Sequence, residues 1–482
     1  MGHHGQVPLA NPSLPQIRQL WATYVRNVDP LMKVVHKPSV ELALNDLASR
    51  QRQVDEDVHT LLLSICYAGI VSLPAIQART ELALDISSLA MSFKESAERG
   101  FMKVQILQTT NFTVLQAFVI FLSYQTCLPR TEAGNIAALT ALAVRTARRM
   151  KLHDERSLEK LTPFEAEMRR RLWWQLCLLD WRVSEDARSE VTISQLSFDT
   201  RMPANIDDDE FGPASTDIHD RQGSTEMTFS LMRFETWLAI AGLQMKHLLP
   251  GKAPSIAEDQ QAALDKLFVS LDHSYLRQCR HLSTPIARLL SMLTPLAVDK
   301  LRLLSCFSSY DDITKGVWNY SSTLDRDKIF QSSIDLLDLE HMMDRDDDLR
   351  HWRWFVKNNH IQWHAMSFAL SELRICPGRQ LEGKAWETIE KCFSSTTLDC
   401  FQGSQSNIWS SFNVLRQEAL DARLLAPGSI GGSTLPLTWD LVGSADLSDS
   451  SLMNFDMGWL HDVDITQVDC PSMLNRGGSE EI

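Results

Sequence analysis

The sequence lacks closely spaced cysteines. Its nine cysteines stand at least eight residues apart, whereas structural zinc sites usually contain a short two-cysteine knuckle. The spacing excludes a self-contained zinc finger among these 482 residues. An odd number of cysteines, without a secretory signal, also indicates reduced thiols rather than disulfides.

The chain also lacks a basic N-terminal segment followed by an apolar run, which a secretory signal requires. Its longest apolar run, 61–73, contains small residues and meets Pro74, well short of the roughly 20 residues of a membrane span. These absences predict a soluble intracellular protein. A surplus of positive charge is absent as well: the formal net charge is −14, whereas a polyanion-binding surface needs clustered Lys and Arg.

Catalytic and metal-binding motifs are missing too. The sequence has no Gly-x-Ser-x-Gly elbow, phosphate loop or dinucleotide fingerprint. His360 and His364 have the i,i+4 spacing of a shared metal site, but Ile361 stands where a metalloprotease has Glu. The acidic run 207–210 lacks calcium-loop spacing and is interpreted as a solvated loop. We therefore predict no enzyme activity, no metal ion and no cofactor.

What is present is helical periodicity. Apolar residues recur at helical spacing from Leu14 to about Leu425. The pattern predicts an all-α fold, a large multi-helix bundle with a disordered acidic C-terminal tail and a disordered N-terminal tail over 1–13. Pro203–Met227 is rich in Asp, Gly, Ser and Pro, and is either a surface loop, near 203–226, or a linker between two halves. Predicted helices include 58–69, 75–94, 96–109, 112–126, 135–150, 227–249, 260–271, 283–305, 326–343, 349–376 and 384–394.

The predicted tail, 426–482, is Gly- and Ser-rich and then acidic with bulky apolar residues. Residues 427–482 hold nine acidic residues and one Arg, a net charge of −8 of the total −14. In a disordered segment this alternation is typical of an activation-type region, whose apolar groups are buried by a partner's groove. The alternative is a terminal helix that docks on the bundle. The partner-binding candidates are Leu452, Phe455, Met457, Trp459, Leu460 and Val463.

A central stretch, EMRRRLWWQLCLLD from Glu167 to Asp180, combines three arginines with two tryptophans. Successive helical residues are rotated by about 100°, so the arginines cannot form one nucleic-acid-binding face. We predict i,i+4 ion pairs Glu165–Arg169 and Glu167–Arg171. The helix is apolar nearly all round, which predicts an interior position, where Asp180 and at least one arginine need partners. The motif residues are Glu167, Arg169, Arg170, Arg171, Trp173, Trp174 and Asp180.

Taken together, these residues closely resemble the fungal-specific transcription factor domain, the middle homology region of binuclear zinc cluster regulators. The likeness rests on Leu152-His153, the core Glu167–Trp174, Asp180, and the loop Pro203–Asp208. The segments LWATYVRNVDPLMKVVHKPSV and QWHAMSFALSELRICPGRQLEGKAWETIEKCF are similar to the family's opening and closing segments. The resemblance covers Gln16 to about Phe401.

The resemblance implies an all-α regulatory domain, here 14–425, of a nuclear transcription regulator. Family members usually carry a six-cysteine cluster that holds two zinc ions, and the cysteines of this sequence do not have its spacing. Zinc is therefore expected only if such a domain precedes this chain, and direct DNA contact by these residues is not predicted. We expect control of a metabolic or secondary-metabolite biosynthetic gene cluster.

The expected partners are transcription machinery or co-activators, together with a DNA-binding partner or a homo- or heterodimer, and no membrane. Two alternatives remain open at this point. One is a non-DNA-binding inhibitor of full-length relatives, which would repress when overexpressed. The other is a helical small-ligand receptor, which tight binding of a metabolite would indicate.

Overall fold

A computed structural model of the chain describes residue 10 and residues 12–49, 55–73, 86–125, 133–187, 190–247, 256–304, 326–358, 362–395 and 406–425. Within these ranges the regular secondary structure is helical and no strand occurs, which confirms the all-α prediction. The predicted tails lie outside the described residues, except for residues 10, 12 and 13. No helix in the described ranges is both long and apolar enough to cross a bilayer.

The helices described in the first half of the chain include the one that carries the central motif. They are α1 Leu14–Asn27, α2 Lys37–Ser49, α3 Glu56–Val71, α4 Ile86–Lys103, α5 Phe112–Gln125, α6 Ala133–Arg149, α7 Glu155–Leu158 and α8 Pro163–Ala187. Short 3-10 turns follow at Gln195–Ser197 and Asp208–Glu210. The second half contains α9 Thr228–His247, α10 Ile256–Leu271, α11 Arg277–Cys279, α12 Pro285–Leu304, α13 Arg326–Asp344, α14 Arg353–Asn358, α15 Gln362–Ile375, α16 Glu382–Ser395 and α17 Ser406–Leu425.

Helix α3 lies in the middle of the N-terminal helices. All its residues from Thr60 to Ile70 are buried, because α1, α4 and α5 pack around it. Gly69 permits the close approach of α1: a Cβ at this position would lie 2.9 Å from the carbonyl oxygen of Leu20. Helix α8 packs in turn against α5, α6 and α9, so the Arg/Trp motif is interior, as the sequence predicts.

One continuous hydrophobic core extends along the chain from Ile17 to Ala419. A small second cluster, Met168, Ile206 and Phe211, lies beneath the segment 203–226. Through these contacts the segment packs on α8.

Two helix predictions are wrong. Helix α4 continues through Glu95, where the sequence analysis placed a break, because Phe93, Ala97 and Phe101 keep burying one face at i,i+4 spacing. The predicted helix 349–376 is divided into a 3-10 turn at Arg350–Trp352, α14 and α15.

A buried ion network as the candidate functional site

The three consecutive arginines of α8 have three different sets of partners. Arg169 donates to the carbonyl oxygen of Glu165 at 3.1 Å, and its guanidinium carbon lies 4.8 Å from the ring centre of Phe112. The carboxylate of Glu165 instead accepts hydrogen bonds from the backbone and hydroxyl of Thr162. The predicted Glu165–Arg169 ion pair is therefore wrong, since Glu165 caps the start of its own helix.

Arg170 pairs with Glu155 on α7. The Arg170 Nη2 to Glu155 Oε1 distance is 2.6 Å, and Arg201 donates to the same carboxylate from its Nε at 2.8 Å and its backbone nitrogen at 2.9 Å. Burial alone would raise the pKa of Glu155, but the hydrogen bonds from Arg170 and Arg201 outweigh burial and lower it. One carboxylate thus joins α7, α8 and the segment that leads into the loop.

Arg171 is fully buried and holds two carboxylates. Its Nε donates to Glu167 Oε1 at 2.9 Å, the predicted pair one turn earlier, and its Nη1 donates to Asp208 Oδ1 at 2.6 Å. Glu167 also accepts the backbone N–H of Ala204, at 3.2 Å and 3.1 Å from its two oxygens. The guanidinium lies 4.8 Å from the ring centre of Phe211. Arg171 therefore fastens the loop to α8.

Lys33, in the turn after α1, is the second centre of the network. Its Nζ lies 2.9 Å from Asp29, 2.8 Å from Asp208 and 2.9 Å from Glu226. Lys37 pairs with the other oxygen of Glu226. We call these seven residues the ion network: Asp29, Lys33, Lys37, Glu167, Arg171, Asp208 and Glu226. It joins three segments that are far apart in sequence.

Asp208 corrects the interpretation of the acidic run 207–210 as solvated. Only 1% of Asp208 is exposed, because its side chain accepts from Arg171, Lys33 and the backbone nitrogen of Lys37. Two buried cations stabilise a carboxylate that could not be buried alone. The neighbouring Asp207 and Glu210 lie on the outer side of the loop and pair with Arg221.

The charges in the network shift one another's pKa values. Burial alone would raise the pKa of Asp208, but Lys33 and Arg171 outweigh it and hold that pKa well below the usual range of a carboxyl group. The carboxylates of Asp29, Asp208 and Glu226 raise the pKa of Lys33, although burial alone would lower it. Burial raises the pKa of Asp29, and the nearby positive charge of Lys33 does not offset this rise. Asp29 therefore takes up a proton more readily than Asp208.

Three of the carboxylates, Asp29, Asp208 and Glu226, lie close enough together to hold a metal ion. The ammonium group of Lys33, however, lies within 2.9 Å of an oxygen of each. It occupies the position that a cation would take and supplies the compensating charge. The geometry thus favours a structural cluster over a metal centre.

Hydrogen bonds fix the loop on both sides of Asp208. The Nε2 of His36 lies 2.8 Å from the carbonyl oxygen of Asp208 and 3.0 Å from that of Phe211. The side-chain nitrogen of Asn205 donates to the carbonyl oxygens of Arg221 and Gly223. These contacts explain why a Gly- and Asp-rich segment has one defined conformation.

The remaining motif residues, Trp173, Trp174 and Asp180, are buried as well. Trp173 is fully buried, and Trp174 donates its indole N–H to the carbonyl oxygen of Arg201 at 2.8 Å. Asp180 accepts the backbone N–H groups of Thr192 and Ile193, both at 2.8 Å. Burial raises the pKa of Asp180 despite these bonds. Its partners are backbone amides, so it orders the segment after α8.

Groups with nucleophilic chemistry are shielded in this region. Cys177 of the motif is buried, and burial, followed by the charge of Asp180, raises its thiol pKa well above the ordinary value. Burial also raises the pKa of the Cys66 thiol to about 12. Thiols that stay protonated are poor nucleophiles. His364 lies on α15, but His360 is outside the described residues, so the prediction that these two histidines do not share a metal ion is not tested.

The sequence analysis missed Asp29, Lys33, Lys37 and Glu226. A signal was present for two of them: Asp29 and Lys33 are four residues apart in an otherwise apolar stretch, VDPLMKVV. Charges embedded among apolar residues require partners when the segment is buried. Their spacing gives one pair, whereas the contact with Asp208 joins positions 175 residues apart.

Replacing Glu155 with Gln tests the outer pair of this region. The loss of charge-assisted hydrogen bonds to Arg170 and Arg201 is expected to lower the free energy of unfolding by about 1–3 kcal/mol at pH 7. The pKa of Glu155 is lower in the folded state, so its contribution is complete above its unfolded pKa and is lost as the pH falls through the folded value. Urea titrations of E155Q and wild type between pH 7 and pH 3 measure both effects.

The matched control is Glu159→Gln, because Glu159 is exposed and contacts Arg201 only at 3.3 Å. We expect E159Q to behave like wild type, and E155Q to show a weaker dependence on acidic pH. Equal unfolding free energies for E155Q and wild type at pH 7 would contradict the assigned role.

Comparison with known proteins gives a consistent set of matches. Residues 21–271 match the family model of the fungal specific transcription factor domain. These residues include α8 and all seven members of the ion network.

Several curated relatives are similar over most of the chain. The Aurofusarin cluster transcription factor aurR2 of Gibberella zeae is 27% identical, over 84% of this chain and 60% of the relative. The transcriptional regulator AacuB of Aspergillus aculeatus is 26% identical, over 86% and 56%. The C6 finger domain transcription factor nscR of Aspergillus fumigatus is 29% identical, over 86% and 55%. The chain thus spans between 55% and 60% of the length of these relatives.

Proposed function

The chain belongs to the family of the fungal specific transcription factor domain, and from this premise we propose that it controls transcription of a secondary-metabolite biosynthetic gene cluster in the nucleus. The observation that carries the proposal is its similarity, over 84% of its length, to a regulator named for the aurofusarin cluster. The family and these relatives are transcription regulators, not enzymes.

The described helices act as the regulatory part of the molecule in this proposal. Their arginine-rich motif is turned inward: Arg171 is fully buried and Arg170 is paired with Glu155. Such side chains cannot reach the phosphates of DNA. Contact with DNA therefore belongs to another segment or to a partner, and the ion network stabilises the arrangement of the regulatory domain.

Activation is assigned to residues 426–482, on the basis of their sequence alone. Acidic residues keep Leu452, Phe455 and Trp459 in contact with water until a co-activator groove buries them. The recruited partner is the transcription machinery or a co-activator.

Deletion of the coding sequence in the organism that carries it tests the proposed function. We expect the transcripts of a contiguous set of biosynthetic genes to fall together, because one regulator controls them, and to recover when the wild-type sequence is restored. RNA sequencing under conditions in which the set is expressed measures the effect. If neither deletion nor overexpression changes any such set of transcripts, the proposal is wrong.

Overexpression also separates a second candidate, a non-DNA-binding inhibitor of full-length relatives. The observation in its favour is the wide spacing of the cysteines, which provides no six-cysteine zinc cluster within these 482 residues. An inhibitor would lower the transcripts when overexpressed, whereas an activator would raise them.

A further inference from the structure

A small cavity lies between the turn after α1, the end of α5, the middle of α8, α9 and the short helix α14. Its volume is about 40 Å³. By the same measure a single water needs roughly 10–15 Å³, so the cavity has room for roughly three waters or one small organic ion. The side chains relevant to a ligand are Tyr124, Gln175, Arg182, Arg233, Trp354 and Phe355.

Arg233 gives this cavity its charge. Its Nη1 donates to the carbonyl oxygen of Leu31 at 3.2 Å, and its guanidinium carbon lies 4.9 Å from the ring centre of Phe355. The surroundings lower the pKa of Arg233 to about 10, first through burial and then through the positive charge of Arg182. No acidic side chain is among the described residues that line the cavity.

Two buried cations of the domain, Arg171 and Lys33, are arranged differently. Arg171 has the carboxylates of Glu167 and Asp208, and Lys33 has three acidic neighbours. Arg233 instead contacts a neutral group, the carbonyl oxygen of Leu31, and the aromatic rings of Phe229 and Phe355. Arg233 is partly buried, and a guanidinium in such a place without an acidic partner favours an anion, which could accept two parallel N–H···O bonds from it.

Gln175 adds a second polar group. It is only 6% exposed, and its Oε1 accepts no hydrogen bond from the protein. A buried acceptor of this kind costs free energy unless a ligand or water donates to it. A hydroxyl group on the bound anion would meet this requirement.

The aromatic residues that line the cavity also contact one another and the backbone at the end of α1. The indole N–H of Trp354 donates to the carbonyl oxygen of Asn27 at 3.3 Å, and the ring centres of Trp354 and Tyr124 are 4.9 Å apart. These contacts connect the end of α1 with α5 and α14. The aromatic side of the cavity is thus held by contacts within the protein.

We propose that this cavity binds a small hydroxycarboxylate, with the carboxylate on Arg233 and the hydroxyl on Gln175. Arg182 contributes further positive charge, and the aromatic rings exclude water from the carboxylate. The carbonyl that Arg233 holds belongs to Leu31, two residues before Lys33, so the site adjoins the ion network. This inference does not depend on which genes the protein regulates.

Calorimetric titration of the full 482-residue chain tests the site, with sodium glycolate, sodium acetate and inorganic phosphate as probes at constant ionic strength. We expect glycolate to bind more tightly than acetate, because only glycolate carries the hydroxyl. Arg233→Met is expected to weaken glycolate binding by about tenfold or more through the lost charge-assisted hydrogen bonds. Gln175→Met is expected to reduce glycolate binding to the level of acetate.

The control is Arg374→Met, because Arg374 pairs on the surface with Glu418, away from the cavity. It should bind glycolate like wild type. Without ligand, folded R233M should be about as stable as wild type, since the charge that is removed is partly buried and has no acidic partner among the residues that line the cavity. If R233M does not fold, the Q175M result decides. Glycolate binding that is unchanged in Q175M, no glycolate binding by wild type, or binding of phosphate alone would overturn the proposal.

Discussion

Replacing Lys33 with Met is expected to lower the free energy of unfolding by about 3–5 kcal/mol. The substitution removes the ammonium group that lies within 2.9 Å of Asp29, Asp208 and Glu226, and Met restores the volume without the charge. Three carboxyl groups then face one another in a buried site, where like charges repel. Urea titration of the purified chain at pH 7 measures the loss.

The pH dependence separates this electrostatic effect from a packing defect. Without Lys33, the pKa of Asp29, which burial already raises, should rise further above its unfolded value, so protonation would favour the folded state as the pH falls. The stability difference between K33M and wild type should therefore shrink between pH 7 and pH 5. A packing defect would leave it constant.

Lys103→Met is the matched control, because Lys103 is 63% exposed and its only described ion pair, with Glu56, is 3.5 Å long. Exposed pairs of this kind contribute about 0–1 kcal/mol. If K33M and K103M cost the same, Lys33 is not the centre of the network.

A fusion of residues 427–482 to an unrelated DNA-binding domain is expected to activate a reporter gene strongly. Replacing both Phe455 and Trp459 with Ala should remove most of that activity, because aromatic anchors in a partner's groove contribute about 2 kcal/mol or more each, on the order of 30-fold in affinity. Reporter transcripts at equal protein levels provide the measurement.

Trp439→Ala is the control for this fusion. Trp439 is also a tryptophan of the tail, but it precedes the segment in which Leu452, Phe455 and Trp459 stand among acidic residues. The activity should therefore survive W439A. A silent wild-type fusion, or one that F455A/W459A does not impair, would exclude the activation role and favour the alternative of a terminal helix that docks on the bundle.

Helices with a strong apolar pattern could be predicted from sequence. The prediction 112–126 corresponds to α5, Phe112–Gln125, and 326–343 corresponds to α13, Arg326–Asp344. Helix α2 was missed because only Val40 and Leu44 of its residues are buried, too few to give a periodic signal. The segment 349–376 was predicted as one helix, yet Trp352 and Trp354 bend toward the carbonyl oxygens of Arg26 and Asn27. Those partners are more than 320 residues away.

The candidate site, like the fold, could be predicted from the sequence only in part. The pair Glu167–Arg171 was predictable, because one helical turn brings its members together whatever the surroundings. The burial of Asp208 was not, since four acidic residues in succession are ordinarily solvated. Only the folded chain brings Lys33 and Arg171 to that carboxylate.

The sequence by itself determined the helical class, the interior position of the Arg/Trp helix and the family, because each depends on local spacing. The tertiary structure alone decided which charges meet: Lys33 with Asp208 across 175 residues, and Arg233 with the carbonyl oxygen of Leu31 across 202. The physical reason is burial. A charge placed in the core by apolar neighbours must be balanced by whatever group the packing brings within reach, and packing over such distances leaves no mark in local periodicity.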